Sequence, residues 1–202
     1  MRRLLGLCIV ALPLLYHSAQ AQVIEFESNG LKYQALTRSG VTVMFAQMQS
    51  HLHEYAIIQV AVSNGSPGPY VIRPEDFSYV RTDGEVIRAT PARNVINMLF
   101  QKGSGGDVIK LVQAYEAAVY GNPHLRSTNG YEQRRLAALA MSATKVRSAA
   151  IASALTLVQA KLAQGESTDG AVFFITEGKP LGAGHLLVRT NTDTFEFLGA
   201  SE

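Results

Sequence analysis

The sequence predicts a mainly β fold with an α insertion: an antiparallel β-sandwich interrupted by two or three helices. Three observations predict it. Short apolar-alternating runs, separated by turns rich in Gly, Pro, Asn and Asp, fill residues 23–90 and 156–197. Between them, from about 91 to 154, the apolar spacing changes to that of a helix. Nowhere does strand alternate regularly with helix, as a parallel sheet requires.

The 202-residue chain opens with Arg2 and Arg3, then LLGLCIVALPLLY, an apolar run short for a bilayer span. Ala19 and Ala21 supply the small residues of a cleavage site. Residues 1–21 are therefore expected to be a secretory signal peptide. Residues 22–202 are expected to be a single exported domain, periplasmic or secreted, without a membrane span. The one cysteine, Cys8, lies in the leader, so the mature chain is expected to lack disulfides and thiolate metal sites. Without Arg2 and Arg3 the 18 basic residues fall to 16 and balance the 16 acidic ones. A balanced chain with no basic stripe argues against a nucleic-acid partner.

The first β region begins with LKYQALTRSGVTVMFAQ, two strands about Ser39-Gly40. EYAIIQVAVSN follows as the clearest strand, with Ala56, Ile58, Val60 and Val62 on one face and Ile57, Gln59, Ala61 and Ser63 on the other. Asp83-Gly84 sits between two short alternating runs, a hairpin signal because type I′ turns need positive φ. In the helical region, Thr90-Pro91 is a helix start, and Val95, Met98 and Leu99 are spaced for one face. Asp107 is a cap for a second helix with Leu111, Val112, Tyr115 and Val119 on its stripe. Gly121-Asn122-Pro123 ends it, and YEQRRLAALAMSATKVRSAAIASAL favours helix strongly. Beyond it AVFFITEG and HLLVRTNTDTFEF return to strand, the latter as a hairpin about Asn191 to Asp193. Residues 157–163 fit either helix or strand.

Two segments resemble the telokin-like, immunoglobulin-fold domains of exported bacterial proteins of unknown function. The first carries Val62 and Asn64, then Pro74 and Phe77, then Asp83 and Gly84. The second carries Leu162, Gly165 and Glu166, then Gly170, Val172, Phe173 and Phe174. The resemblance implies an Ig-like sandwich outside the cytoplasm and favours the strand reading of 157–163. It implies no catalytic residues. The helical segment has no counterpart in it, so the β framework is expected to fold without that segment.

Chemistry-bearing residues are sparse. Met44, Met48, His51 and His53 are the ligand types that copper finds in an exported protein without cysteine. On a strand His51 and His53 would share a face; on a loop they would be solvated. No Gly-x-Ser-x-Gly occurs, and Ser104 in KGSGGD lacks the frame of a nucleophile. Glu75-Asp76, the adjacent acidic pair, suits an exposed turn. The polar run YGNPHLRSTNGYEQRR, 120–135, turns the chain between helices and leaves His124, Arg126, Arg134 and Arg135 as a contact patch. Arginines of this kind suit a protein partner or a small anionic ligand. The expected function is a non-enzymatic exported binding module with no cofactor. An extracytoplasmic metal-binding protein using His51 and His53 is the alternative, and a hydrolase the weaker one.

Overall fold

A computed structural model of the chain describes residues 22–48, 51–120 and 129–198. The expected signal peptide, His124 and Arg126 lie outside the described residues. Strands β1 (Ile24–Ser28), β2 (Leu31–Arg38), β3 (Val41–Gln47) and β4 (Tyr55–Asn64) form an antiparallel meander. Asn29-Gly30 and Ser39-Gly40 connect the first three, all four residues at positive φ. That conformation matches the strands' own twist and keeps each hairpin tight.

Strand β4 is the pivot of the fold. Its far edge pairs along its length with β9 (Ser167–Ile175). The sheet continues through β7 (Val86–Thr90), β6 (Phe77–Arg81), β10 (Gly184–Arg189) and β11 (Thr194–Glu196). All neighbours in this nine-stranded sheet are antiparallel. A separate ladder joins β5 (Tyr70–Ile72) to β8 (Ala160–Leu162), which makes 160–162 strand rather than helix. The β6–β7 hairpin forms as expected, but its turn is not type I′: of Asp83 and Gly84 only Gly84 has positive φ, the Arg81 amide bonds the Glu85 carbonyl across a three-residue loop, and Asp83 Oδ1 accepts the Glu85 amide at 2.9 Å.

The sheet curls until its two ends meet. Arg38 Nη1 donates to the Thr194 carbonyl at 2.6 Å, and Ser39 Oγ bonds Asp193 Oδ1 at 2.8 Å. Phe45 of β3 packs edge-on against Phe197, 4.9 Å between ring centres. Inside the curl lies one core: Val43, Ile58, Val60, Phe77, Phe174, Leu186 and Phe195. The opposite face of β4 and β9 carries Ile57, Ala171 and Phe173, which join a second core beneath helices. Both faces of these central strands are thus covered, which is why β4 is apolar without a polar face.

Helices α1 (Ala92–Lys102), α2 (Gly105–Tyr120), α3 (Tyr131–Leu139) and α4 (Thr144–Leu155) follow one another between β7 and β8. They contribute Val95, Leu99, Leu111, Tyr115, Ile151 and Leu155 to the second core. The described chain therefore has four helices, not the two or three expected. The alanine-rich run splits at 140–143, where Arg147 Nε donates to the Met141 carbonyl at 2.8 Å. Propensity favours one long helix there; a side chain six residues on caps the break instead. The start of α2 also moves. Ser104 Oγ accepts the Asp107 amide while Asp107 Oδ2 accepts the Ser104 amide at 2.9 Å. This is a reciprocal capping box with Ser104, not Asp107, as the cap.

Two residues of the quoted resemblance acquire definite jobs. A Cβ on Gly170 would lie 2.4 Å from the Leu157 backbone, because the chain leaving α4 crosses β9 there. The Leu157 amide bonds the Ala171 carbonyl at 2.9 Å in that crossing. Asn64 is fully buried at the end of β4. Its amide nitrogen donates to the Gly68 and Leu162 carbonyls, and its oxygen accepts from Ser66. Asn64 also exchanges backbone bonds with Gly165 and Glu166. The motifs Val-x-Asn and Gly-Glu, a hundred residues apart, thus meet in one knot.

Candidate functional site

The helices meet the sheet around a buried carboxylate. Asp169 of β9 is 2% exposed and lies under α2. Tyr115 donates its hydroxyl to Asp169 Oδ2 at 2.5 Å, and Gln59 Nε2 reaches the same oxygen at 3.2 Å. Asn129 Nδ2 bonds the Asp169 carbonyl at 2.8 Å. Burial, then the nearby Asp169 charge, pushes the Tyr115 hydroxyl above its usual 10.0. Tyr131 stacks obliquely on Tyr115, 4.6 Å between ring centres, and donates to Glu116 Oε1 at 3.1 Å. Burial and then Glu116 raise its hydroxyl in the same way. Gln59 Oε1 is buried with no hydrogen-bond partner among the described residues. The cluster is an internal tie between helices and sheet, not an opening to solvent.

The described arginines of the sequence-predicted patch serve this tie. Arg134 donates Nη1 to the Asn129 carbonyl and Nη2 to the Ala154 carbonyl, the latter at 3.0 Å. It clamps the start of α3 to the end of α4. Arg135 Nε lies 2.6 Å from Glu116 Oε1, with its N–H directed off the acceptor, and Nη1 lies 3.8 Å from Glu132. Both guanidinium groups already have intramolecular partners, which sequence spacing does not reveal.

His51 and His53 part company. They sit on the β3–β4 connection, where Leu52 and Tyr55 bond each other and His53 has φ 52°. His51 Nε2 lies 3.1 Å from the Lys179 carbonyl, whereas His53 Nε2 lies 3.3 Å from Asp107 Oδ2. Among the described residues no group of three His, Cys, Asp or Glu side chains is arranged to hold a metal ion. Ser104, Asp107 and His53 have the residue types of a nucleophilic triad in the wrong order. The carboxylate lies between hydroxyl and imidazole, so the base does not touch the nucleophile. Burial raises the Asp107 carboxyl, but the Ser104 hydrogen bonds and His53 outweigh this and hold it below its usual value. His185 pairs with Glu196 at 3.2 Å across β10 and β11.

Two concavities flank the β1–β2 hairpin. The larger, about 470 Å³, is lined by Glu27, Lys32, Met48 and His51 among others. The smaller, about 300 Å³, lies over Phe26 and Tyr33. His185 lines neither.

Exposed apolar side chains gather in the helical segment. Phe100, Ile109, Leu136, Leu139, Met141 and Val146 make up six of the eleven large exposed hydrophobics among the described residues. Ser148 Oγ bonds the Ser104 carbonyl at 3.2 Å, so the α1–α2 junction lies against the first turns of α4. The α3–α4 junction precedes those same turns. Phe100, Ile109, Met141 and Val146 therefore stand near one end of the helical layer. Periodicity marks the buried stripes but not which remaining apolar residues the fold leaves uncovered. No helix among the described residues is long and apolar enough to cross a membrane.

No family model, curated protein or solved structure matches the chain.

Proposed function

We propose that the chain is an exported, non-enzymatic, Ig-like binding module that engages a protein partner through the end of its helical layer. One observation carries this reading: six of the eleven large exposed hydrophobics among the described residues fall in the helical segment, several of them near the α1–α2 junction and the start of α4. Contiguous exposed apolar surface marks interaction sites more often than isolated residues do. The Ig-like part rests on the quoted resemblance. An antiparallel sheet whose ends meet around one core supports it. The helices, consecutive in the chain and grouped over one face of that sheet, support the reading of 91–154 as an insertion.

Photo-crosslinking residues placed singly at Phe100 and Leu139 test the proposal in the native host. The expected result is the same adduct from both, and none from Val86 or Ile175, which are exposed on the sheet. Equal adducts from all four sites, or none, would refute it. An adduct of twice the chain mass would make the occupant a second copy instead.

A further inference from the structure

We propose that the protein partner at the end of the helical layer is acidic: a surface apolar at its centre and rimmed with carboxylates. This rests on the docking reading above and adds the chemistry of the occupant. The α1–α2 junction touches α4 at one point. There the Ser148 hydroxyl bonds the Ser104 carbonyl at 3.2 Å, and a Cβ on Gly103 would lie 3.0 Å from that of Ser148. Lys102 precedes this contact by one residue, Lys145 lies about one turn before it on α4, and Lys110 is in the second turn of α2. Phe100, Ile109 and Val146, all exposed, each lie within two residues of one of these lysines.

Residues 100–110 and 141–147 hold four basic side chains, the three lysines and Arg147, against one acid, Asp107. Residues 22–202 as a whole are balanced, so the excess is local. Asp107 is already engaged, accepting the Ser104 amide and lying 3.3 Å from His53. Lys102, Lys110 and Lys145 are exposed and make no ion pair among the described residues. Lys102 suits the negative end of the α1 dipole, but Lys145 stands in the first turn of α4, which the dipole makes positive and which holds no acid. Helix stability therefore does not account for Lys145. Exposed apolar side chains with a cationic rim fit a partner whose own rim is anionic, because complementary charge steers encounter and selects the partner. The apolar side chains come from different helices, not from one amphipathic face able to lie flat in a bilayer surface, which favours a protein over a membrane.

The test places a photo-crosslinking residue at Phe100 in the native host and combines it with Lys102→Glu, Lys110→Glu and Lys145→Glu together. The crosslinked segment of the partner, sequenced by mass spectrometry, should carry more Asp and Glu than Lys and Arg. The triple substitution should cut the adduct by about 10-fold or more, since like charges across an interface are strongly unfavourable. The variant should melt as the parent does, because the three lysines have no ion pair to lose; should it melt early, the composition of the segment crosslinked by the parent decides. An adduct that survives the triple substitution, or a crosslinked segment with a basic excess, would overturn the acidic partner and leave the docking reading standing. No adduct from the parent would overturn both. A crosslinked segment from this chain would make the occupant a second copy. Binding of the purified chain to vesicles of phosphatidylglycerol and phosphatidylethanolamine, lost on the triple substitution, with no protein adduct, would make it a membrane. Either result would overturn the proposal.

Discussion

Tyr115→Phe is the most direct probe of what holds the helices to the sheet. The hydroxyl belongs to a fully buried residue and makes the shortest of the side-chain bonds to Asp169, 2.5 Å against 3.2 Å from Gln59 and 3.3 Å from Asn129. Phenylalanine keeps the ring contact with Tyr131 and the packing in the second core. The change therefore removes one hydrogen bond and leaves the buried carboxylate with its two longer ones. A hydrogen bond to a charged group contributes about 1.5–3 kcal/mol, and the substitution also leaves Asp169 less well satisfied. The expected loss is thus about 2–3 kcal/mol, read as a lower urea midpoint at unchanged slope. In an Asp169→Asn background the same bond is neutral and worth about 1 kcal/mol, so the double-mutant cycle should return a coupling of about 1–2 kcal/mol. A Tyr115→Phe loss under about 0.5 kcal/mol, or strict additivity in the cycle, would refute the view that this carboxylate joins α2 to β9.

The same tyrosines set a response to alkali. Their native hydroxyls titrate above the unfolded value of 10.0, so stability is complete below pH 10.0 and falls as the pH rises beyond it. Each should contribute a slope of about 1.4 kcal/mol per pH unit, measured by urea unfolding across that range. Gly170→Ala should lose about 3 kcal/mol or more in the same assay, since its Cβ would meet the Leu157 backbone rather than a movable side chain. Asn64→Ala should lose about 2–4 kcal/mol, with Asn64→Asp no better, because a carboxylate cannot donate to the Gly68 and Leu162 carbonyls. Deleting 91–154 and rejoining the β segments should give an aggregating product without a cooperative thermal transition; a soluble, cooperatively melting one would contradict the packing of Ile57 and Phe173 under the helices.

Much of the β framework was legible because its signals are local. Ser39-Gly40 and Asp83-Gly84 demand tight turns, and period two assigns the faces of β4. The helix start near Pro91 was legible for the same reason. The sheet order was not, because the pairing of β4 with β9 joins residues more than a hundred positions apart. The polar sites were least legible. His51 and His53 are near neighbours in sequence, yet a positive-φ turn gives them different partners. Arg134 and Arg135 read as free cations until Ala154 and Glu116 come to meet them. Asp169 carried no signal at all, being one acid in STDGAVFF with nothing to mark it as buried.

That hidden residue bears on what the helical segment is. A decoration added to a finished sandwich would leave the covered face of the sheet polar enough to meet water. Here the covered face of β4 and β9 presents Ile57, Ala171 and Phe173 and buries both Gln59 and Asp169. Stripping the helices would expose the apolar side chains and remove the Tyr115 and Asn129 bonds to Asp169. The sheet is thus built for its helices on that side, and the inner end of α2 and α3 is structural. The opposite condition holds where the α1–α2 junction lies against the first turns of α4. Phe100, Ile109, Met141 and Val146 are exposed there, and the fold gains little from their being apolar. A segment packed into the core at its base and exposed at its far end has the division that the proposed binding role requires: one part fixed by the scaffold, the other left for a partner.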